Sequence, residues 1–115
     1  MVDAPVSPSG DDGAIAVVGY ACRVPRAADP DRLWDLLRTG ASGITAIPDD
    51  RPELRPLQDA AERHPGLRRG GFVENTDRFD AEFFGISPRE AAALDPRQRL
   101  MLELGWETLE HAGGV

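Results

Sequence analysis

The chain has 115 residues and a formal net charge of -7 at pH 7, with 13 basic and 20 acidic side chains. This length allows at most one small domain, and the acidic balance argues against nucleic acid as a partner, because phosphate binding needs clustered Lys and Arg. The sequence shows no apolar run long enough to span a membrane and no signal peptide, and its single cysteine fits a reducing cytoplasm.

The amino-terminal region joins a polar tail to one short apolar run. Residues 1–13 mix Pro, Ser, Gly and Asp, and predict a disordered tail. Ile15–Val18 is a continuous apolar run, typical of a strand that is buried on both faces, and Gly19 follows where the chain leaves the sheet. Such a strand needs neighbouring strands and covering helices that this sequence does not supply. We therefore expect one end of a larger α/β domain.

The middle of the chain predicts one helix and a long loop. The stretch DPDRLWDLLRTG has Asp29 as a cap, Pro30 at the first helical position and Gly40 after its end. Residues 44–48, ITAIP, predict a second short strand. Residues 49–69 show no periodicity and predict a long irregular loop, which is uncommon inside a compact small domain.

The last third has the most regular pattern. Residues 70–75, GGFVEN, predict a brief strand, and a turn of helix is expected over 80–84, before Gly85. Two capping boxes with proline at the first helical position then follow, SPRE at 87–90 and DPRQ at 95–98. The second opens a helix predicted to run from Pro96 to His111 and to stop at Gly113 and Gly114. This helix is apolar over most of its circumference, so protein is expected on several of its sides.

Few side chains are candidates for chemistry. Cys22 is the only thiol, but no nearby pattern supplies an activating base, which favours a small buried side chain over a nucleophile. His64 lies in the irregular segment, and His111 ends the long helix, where a cation interacts well with the helix dipole. A metal site built from Cys22, His64 and His111 would have none of the usual short ligand spacings. The Asp49–Asp50 pair is interpreted as solvated.

Two further sites are weakly indicated. Gly19 follows an apolar run, as in a dinucleotide-binding first strand, but the G-x-G-x-x-G fingerprint is absent and bulky residues follow. Arg63, Arg68 and Arg69 form a modest basic cluster, interpreted as a solvated loop that is also able to face an acidic partner.

Two blocks of this sequence resemble the opening of a β-ketoacyl synthase (ketosynthase) domain of a modular type I polyketide synthase. The first is AIAVVGYACRVPRAADPDRLWDLLRTGASGITAIPDDR, and the second runs from GGFVEN through RFDAEFFGISPREA and DPRQR to WETLEHAG. The resemblance covers about residues 14 to 114. The chain departs from the family pattern at Arg26, where a glycine usually follows the proline, and at Pro52, which replaces a frequent aromatic residue.

The resemblance implies a thiolase-like α/β fold, homodimeric when whole, that catalyses decarboxylative Claisen condensation. An acyl chain on a cysteine would be joined to a malonyl-type extender held on the phosphopantetheine arm of an acyl carrier protein. The family's nucleophile lies in a downstream D-T-A-C-S-S motif, its catalytic histidines lie further on, and none of these motifs occurs here. Cys22 matches an early cysteine that is not the nucleophile. The resemblance therefore assigns no catalytic, cofactor-binding or metal residue to this chain.

We interpret residues 14–115 as the amino-terminal segment of a ketosynthase domain, ending before the nucleophile motif and inert alone. Its partners would be the remainder of that domain and an acyl carrier protein, with no nucleic acid and no membrane. The alternative hypothesis is a non-catalytic dimerisation or docking element beside a carrier protein or a full synthase. A nucleotide-binding domain is a third hypothesis, against which the missing fingerprint counts.

Overall fold

The computed structural model describes residues 13–49 and 51–114. Over these ranges the chain forms four α-helices, two short 3₁₀ helices and two short strands. They are α1 (Pro30–Thr39), β1 (Ile44–Ala46), a 3₁₀ helix (Pro52–Leu54), α2 (Arg55–Ala60), a second 3₁₀ helix (Pro65–Arg68), β2 (Arg69–Gly71), α3 (Pro88–Ala93) and α4 (Pro96–His111). None of the described helices is long and apolar enough to cross a membrane. The predicted tail lies outside the described residues, apart from Gly13.

Helix α1 begins and ends where the sequence predicts. The Asp29 side chain accepts a hydrogen bond of 2.8 Å from the backbone N–H of Arg32, which satisfies one of the free donors of the first turn. Gly40 adopts the left-handed conformation, with φ 66° and ψ 20°, and its N–H donates back to the last turn. Both ends are thus set by local side-chain and backbone chemistry.

The two later helices also start at their predicted caps. The Ser87 hydroxyl accepts from the N–H of Glu90 at 3.3 Å at the start of α3. At the start of α4, Asp95 and Gln98 form a complete capping box, in which the Asp95 N–H donates to the Gln98 side chain at 3.2 Å. The predicted bounds of α4, Pro96 to His111, are confirmed.

The strands form one small antiparallel sheet. Strands β1 and β2 pair with Ile44 opposite Gly71, and with Thr45 opposite Gly70. The predicted second strand is confirmed at β1, whereas the strand expected over 70–75 is shifted, because β2 shares only its last two residues with that range. A two-stranded sheet of three residues a strand has little stability of its own.

Two local predictions were wrong in detail. The segment 49–69 is not wholly irregular, because Arg55–Ala60 is helical and short 3₁₀ helices lie on either side of it. Proline stands in the first turn of all three helices, where its missing N–H costs no hydrogen bond. This placement explains how helices form here although the apolar residues show no helical periodicity. The turn of helix expected over 80–84 is a hydrogen-bonded turn, in which the Asp80 side chain accepts from the N–H of Phe83 at 3.0 Å.

The predicted strand at Ile15–Val18 is absent, which corrects the sequence interpretation. These four residues form no strand and pair with no other described segment. Their side chains are exposed, with Ile15 at 93%, Val17 at 81% and Val18 at 74%. A strand with two apolar faces forms only between partners, and the described parts of the chain contain none for it.

Very little of the described chain is buried. Only Ala27 and Ala61 have exposed fractions low enough to count as core, at 1% and 0%. Large apolar side chains on both α1 and α4 are exposed, among them Trp34 at 64% and Met101 at 67%. Since apolar burial is the dominant favourable contribution to folding, this arrangement leaves most of the available stabilisation unused.

Candidate functional site

The end of the exposed apolar run is fixed against the last turns of α4. A Cβ atom placed on Gly19 would lie 2.5 Å from the Thr108 carbonyl oxygen and 2.8 Å from the Ala112 Cβ, so only glycine fits this contact. Immediately after it, the Tyr20 N–H donates to Nδ1 of His111 at 3.4 Å, and the two rings lie 4.5 Å apart. His111 therefore ends α4 and also contacts the amino-terminal segment through Tyr20.

The contact between the amino-terminal segment and α4 forms an interface, and this interface also contains a partly buried bidentate ion pair. The Arg23 guanidinium donates through Nη1 to one Glu107 oxygen at 2.9 Å and through Nη2 to the other, and Glu103 lies 4.0 Å away. The Arg23 Nη1 also donates to the Ala28 carbonyl at 2.6 Å. The hydrogen bond to Glu107 raises the pKa of Arg23 above its ordinary value. This fork joins the segment after the apolar run to the middle of α4, which fixes its direction.

A cluster of rings, the aromatic group, lies on another side of α4 and consists of Phe79, Phe83, Phe84 and Trp106. Phe79 stacks on Phe84 at a ring distance of 5.4 Å, and Phe83 meets Phe84 edge-on at 5.0 Å. Phe83 also meets Trp106 of α4 edge-on at 4.9 Å, yet Phe83 itself is half exposed. These edge-to-face pairs position the segment before α3 against α4 and leave an apolar surface open.

Cys22 lies next to this interface but has no activating partner. Within the described residues it hydrogen-bonds to neither histidine. Partial burial raises the pKa of the Cys22 thiol, and the negative charge of Asp29 raises it further. A thiol held protonated at neutral pH is a poor nucleophile, so this environment does not support catalysis at Cys22.

The other candidates lie apart from the interface. His64 precedes the second 3₁₀ helix without capping it by a side-chain hydrogen bond, and Asp49 is exposed in a turn, while its neighbour Asp50 lies outside the described residues. Arg63 and Arg68 are exposed, and Arg69 donates to the Ile44 carbonyl across the sheet at 3.1 Å. Over the described ranges, no group of three or more His, Cys, Asp or Glu side chains is placed to hold a metal ion.

Sequence reasoning missed two features. It placed Gly19 at the exit from a sheet, whereas the residue is a contact point on α4; the small side chain of Ala112 was the only available signal. It also noted the unusual Arg26 without seeing that this residue adopts a left-handed backbone with φ 64°. The proline before Arg26 was a signal for that geometry, because such a turn favours φ > 0 one residue after the proline.

The described fold matches part of a thiolase-like α/β fold. The oxazolomycin ketosynthase domain OzmH KS7 of Streptomyces albus JA3453 superimposes with a TM-score of 0.69 and 34% identity, over 83% of this chain and 17% of that one. The family model of the β-ketoacyl synthase, N-terminal domain, matches residues 12–114. This chain belongs to that family.

Curated relatives include modular polyketide synthases. The chain is 53% identical over 109 residues to polyketide synthase GfsA of Streptomyces halstedii, which covers 93% of this chain and 2% of that protein. It is 49% identical over 104 residues to erythronolide synthase EryA2 of Saccharopolyspora erythraea, covering 86% of this chain and 3% of that protein. The chain thus spans only a few per cent of the length of these relatives.

Proposed function

We propose that this chain is the amino-terminal scaffold of a ketosynthase domain and that the complete domain catalyses decarboxylative Claisen condensation. The observation that carries the proposal is the run Ile15–Val18, which has the composition of an interior strand and stands exposed on both faces. The run is held at one end by Gly19 on α4. Further polypeptide on both sides of it is the arrangement that would bury these side chains.

In the proposed reaction, an acyl chain is bound as a thioester to a cysteine of the remainder of the domain. A malonyl-type extender on a carrier protein's phosphopantetheine arm loses CO2, and the electron pair that is released attacks the acyl carbonyl. The new carbon–carbon bond forms as the bond to the cysteine sulfur breaks, which frees the thiolate. No residue of this chain takes part in these steps.

The role proposed for this chain is to position the supporting elements. The Arg23–Glu107 ion pair and the Gly19 contact fix the amino-terminal segment on α4. Phe83 and Trp106 offer an apolar surface to the rest of the domain. A carrier-protein partner, a homodimer and a cytoplasmic location belong to the same proposal. The matches to polyketide synthases support the first, the homodimer is what the family resemblance implies, and the single cysteine supports the third.

A hybrid enzyme tests the proposal. Residues 14–114 would replace the matching stretch of a ketosynthase from a relative such as GfsA, where the two are 53% identical. We expect the hybrid to form the carbon–carbon bond from an acyl thioester and a carrier-bound malonyl extender, and to release CO2. The variant Cys22→Ala should retain this activity, because the Cys22 thiol takes no part in the steps.

Two outcomes would contradict the proposal. A hybrid that folds and binds the acyl group but forms no condensation product would show that this segment does not support the reaction. Loss of activity in Cys22→Ala, together with acylation of Cys22 seen by mass spectrometry, would place the chemistry in this chain. A folded hybrid that is inactive but still captures a carrier protein would instead favour the alternative of a docking element.

A further inference from the structure

A second site lies beside Arg23, apart from the aromatic group. It is a cleft of about 590 Å3, bounded by three stretches of chain, 23–32, 73–78 and 96–103. This volume lies within the usual range for small-molecule sites, roughly 300 to 1,000 Å3. The cleft uses no residue to which the ketosynthase resemblance assigns a catalytic role.

The charge of the cleft is opposite to that of the chain. Five arginines and three carboxylates line it, although the whole chain has 13 basic and 20 acidic side chains. Arg23 is already paired with Glu107, and Arg99 donates to a backbone carbonyl. The guanidinium groups of Arg32 and Arg78 have no hydrogen bond or ion pair with any described residue. Of the five arginines that line the cleft, only Arg23 is therefore paired with a carboxylate within the described residues.

The three carboxylates do not neutralise these arginines. One Asp29 oxygen caps α1, and Glu103 is 4.0 Å from Arg23. Glu74 forms no ion pair within the described ranges. These carboxylates repel an anion, so a ligand binds only if several of its negative oxygens reach more than one arginine at once.

The backbone of the cleft is strained at two positions. Arg26, with φ 64°, and Asn75, with φ 54°, are the only non-glycine residues with positive φ in the described parts of the chain, and both line the cleft. Arg26 sits in a tight turn closed by the Ala27 N–H donating to the Val24 carbonyl at 2.9 Å. Glycine is the favoured residue at such a position, so this chain carries a cation there against the local backbone preference.

The guanidinium of Arg26 retains donors for a ligand. Its Nη1 donates to the Ser42 carbonyl at 3.1 Å, and no carboxylate contacts it within the described residues. A neutral carbonyl leaves the positive charge of Arg26 uncompensated. Arg26, Arg32 and Arg78 thus provide three uncompensated guanidinium groups around one cleft.

We propose that this cleft binds a small molecule through a phosphate or pyrophosphate group, with Arg26, Arg32 and Arg78 as the binding residues. Planar guanidinium groups donate paired hydrogen bonds that match phosphate oxygens. The binding needs only side chains of this chain, so it goes beyond the condensation reaction and does not depend on it.

The test is a titration of the GfsA hybrid, in which residues 14–114 form part of a whole domain, with pyrophosphate at constant ionic strength. Binding is measured by calorimetry and by the NMR signals of the arginine side chains. We expect saturable binding, with the Nε–H signals of Arg26, Arg32 and Arg78 shifting together. Acetate, which supplies only a carboxylate, should bind at least about tenfold more weakly, because it loses one or more charge-assisted hydrogen bonds.

Two matched variants separate charge from backbone strain. Arg26→Gly relieves the strained turn and removes the cation, whereas Asn75→Gly relieves strain in the same cleft and removes no charge. We expect Arg26→Gly to lower pyrophosphate affinity about tenfold or more and Asn75→Gly to leave it unchanged. Arg63→Gln removes a cation that does not line the cleft and should also leave affinity unchanged.

Absence of saturable pyrophosphate binding in the hybrid would overturn the proposal. Equal affinity for acetate and pyrophosphate, or equal losses in Arg26→Gly and Arg63→Gln, would overturn it as well. Because condensation is measured separately, a hybrid that condenses without binding pyrophosphate refutes this site alone.

Discussion

At the residue scale, the lack of a side chain at Gly19 and the bidentate Arg23–Glu107 ion pair determine how the amino-terminal segment packs on α4. Gly19 allows backbone to approach the Thr108 carbonyl, and Arg23 then binds Glu107 through two hydrogen bonds. One contact depends on the absence of atoms and the other on the number and placement of donors. Both are therefore sensitive to single substitutions.

We expect Gly19→Val to detach the segment from α4. The added atoms would overlap Thr108 and Ala112, and overpacking of this kind costs roughly 1–3 kcal/mol. Hydrogen exchange of the Tyr20 amide, which donates to His111, should become faster. Gly66→Ala is the matched control, since nothing lies within 4 Å of a Cβ placed there. Equal exchange at Tyr20 in both variants would show that the Gly19 contact is not needed.

The sequence predicts residue roles unevenly. Asp29, Ser87 and Asp95 were correctly predicted as helix caps, because a cap depends on groups within three residues of it. The partners of Gly19 and Arg23 lie on α4, near the other end of the chain, and no local pattern encodes such a distance. The sequence therefore allowed individual residues of the candidate site to be named, but it did not allow their contacts with one another to be predicted.

At the element scale, α4 is a well-capped helix whose apolar surface is largely uncovered. It was predicted to the residue because DPRQ and the following glycines mark both of its ends. The strand at Ile15–Val18 was predicted from the same sequence and did not form, because a strand depends on hydrogen-bond partners that a helix supplies for itself. The short helices of 49–69 were missed because prolines and charges hide their pattern.

Gly105 provides a test of what surrounds α4. It lies mid-helix with nothing within 4 Å of a Cβ placed on it, so Gly105→Ala should stabilise α4 in this chain by about 0.5–1 kcal/mol. Circular dichroism should show more helix. In the hybrid enzyme we expect the opposite sign, because the proposed remainder packs against α4. Stabilisation of both proteins would indicate that this face of α4 remains open.

The start of α4 should respond to acid. The side-chain hydrogen bond from Arg97, followed by its backbone N–H, lowers the pKa of Asp95 to about 2. An unfolded Asp has a pKa of about 3.9, so the stabilisation is complete above that pH and is lost as pH falls toward 2. Exchange of the Arg97 amide, measured against pH, should accelerate over this window. In Asp95→Asn, which can still cap, this dependence should disappear; its persistence would assign the effect to another group.

At the scale of the whole molecule, the described chain has helices without a core. Ala27 and Ala61 are the only buried apolar residues in the described ranges, and neither is large. Secondary structure here rests on caps, one small sheet and a few contacts with α4. The fold class was predictable from the sequence because the family's motifs are present. The position of a core was not, because no local pattern specifies which distant residues pack together.

We expect the isolated chain to unfold without a cooperative transition. A cooperative melt requires a shared core whose loss exposes much apolar surface at once, and this chain has little to expose. Calorimetry should show a broad, weak change, and the hybrid should show a sharp one. A two-state transition of the monomeric 115-residue chain would contradict this expectation and the proposed dependence on further polypeptide.

The uncovered run Ile15–Val18 has a consequence for biosynthesis. If the remainder of the domain is translated after this segment, four apolar residues emerge from the ribosome long before any strand can pair with them. Unpaired β-forming backbone is a template for wrong association between nascent chains. In the sequence, Asp11 and Asp12 come shortly before the run, and such like charges are typical of the gatekeeper residues that flank aggregation-prone segments.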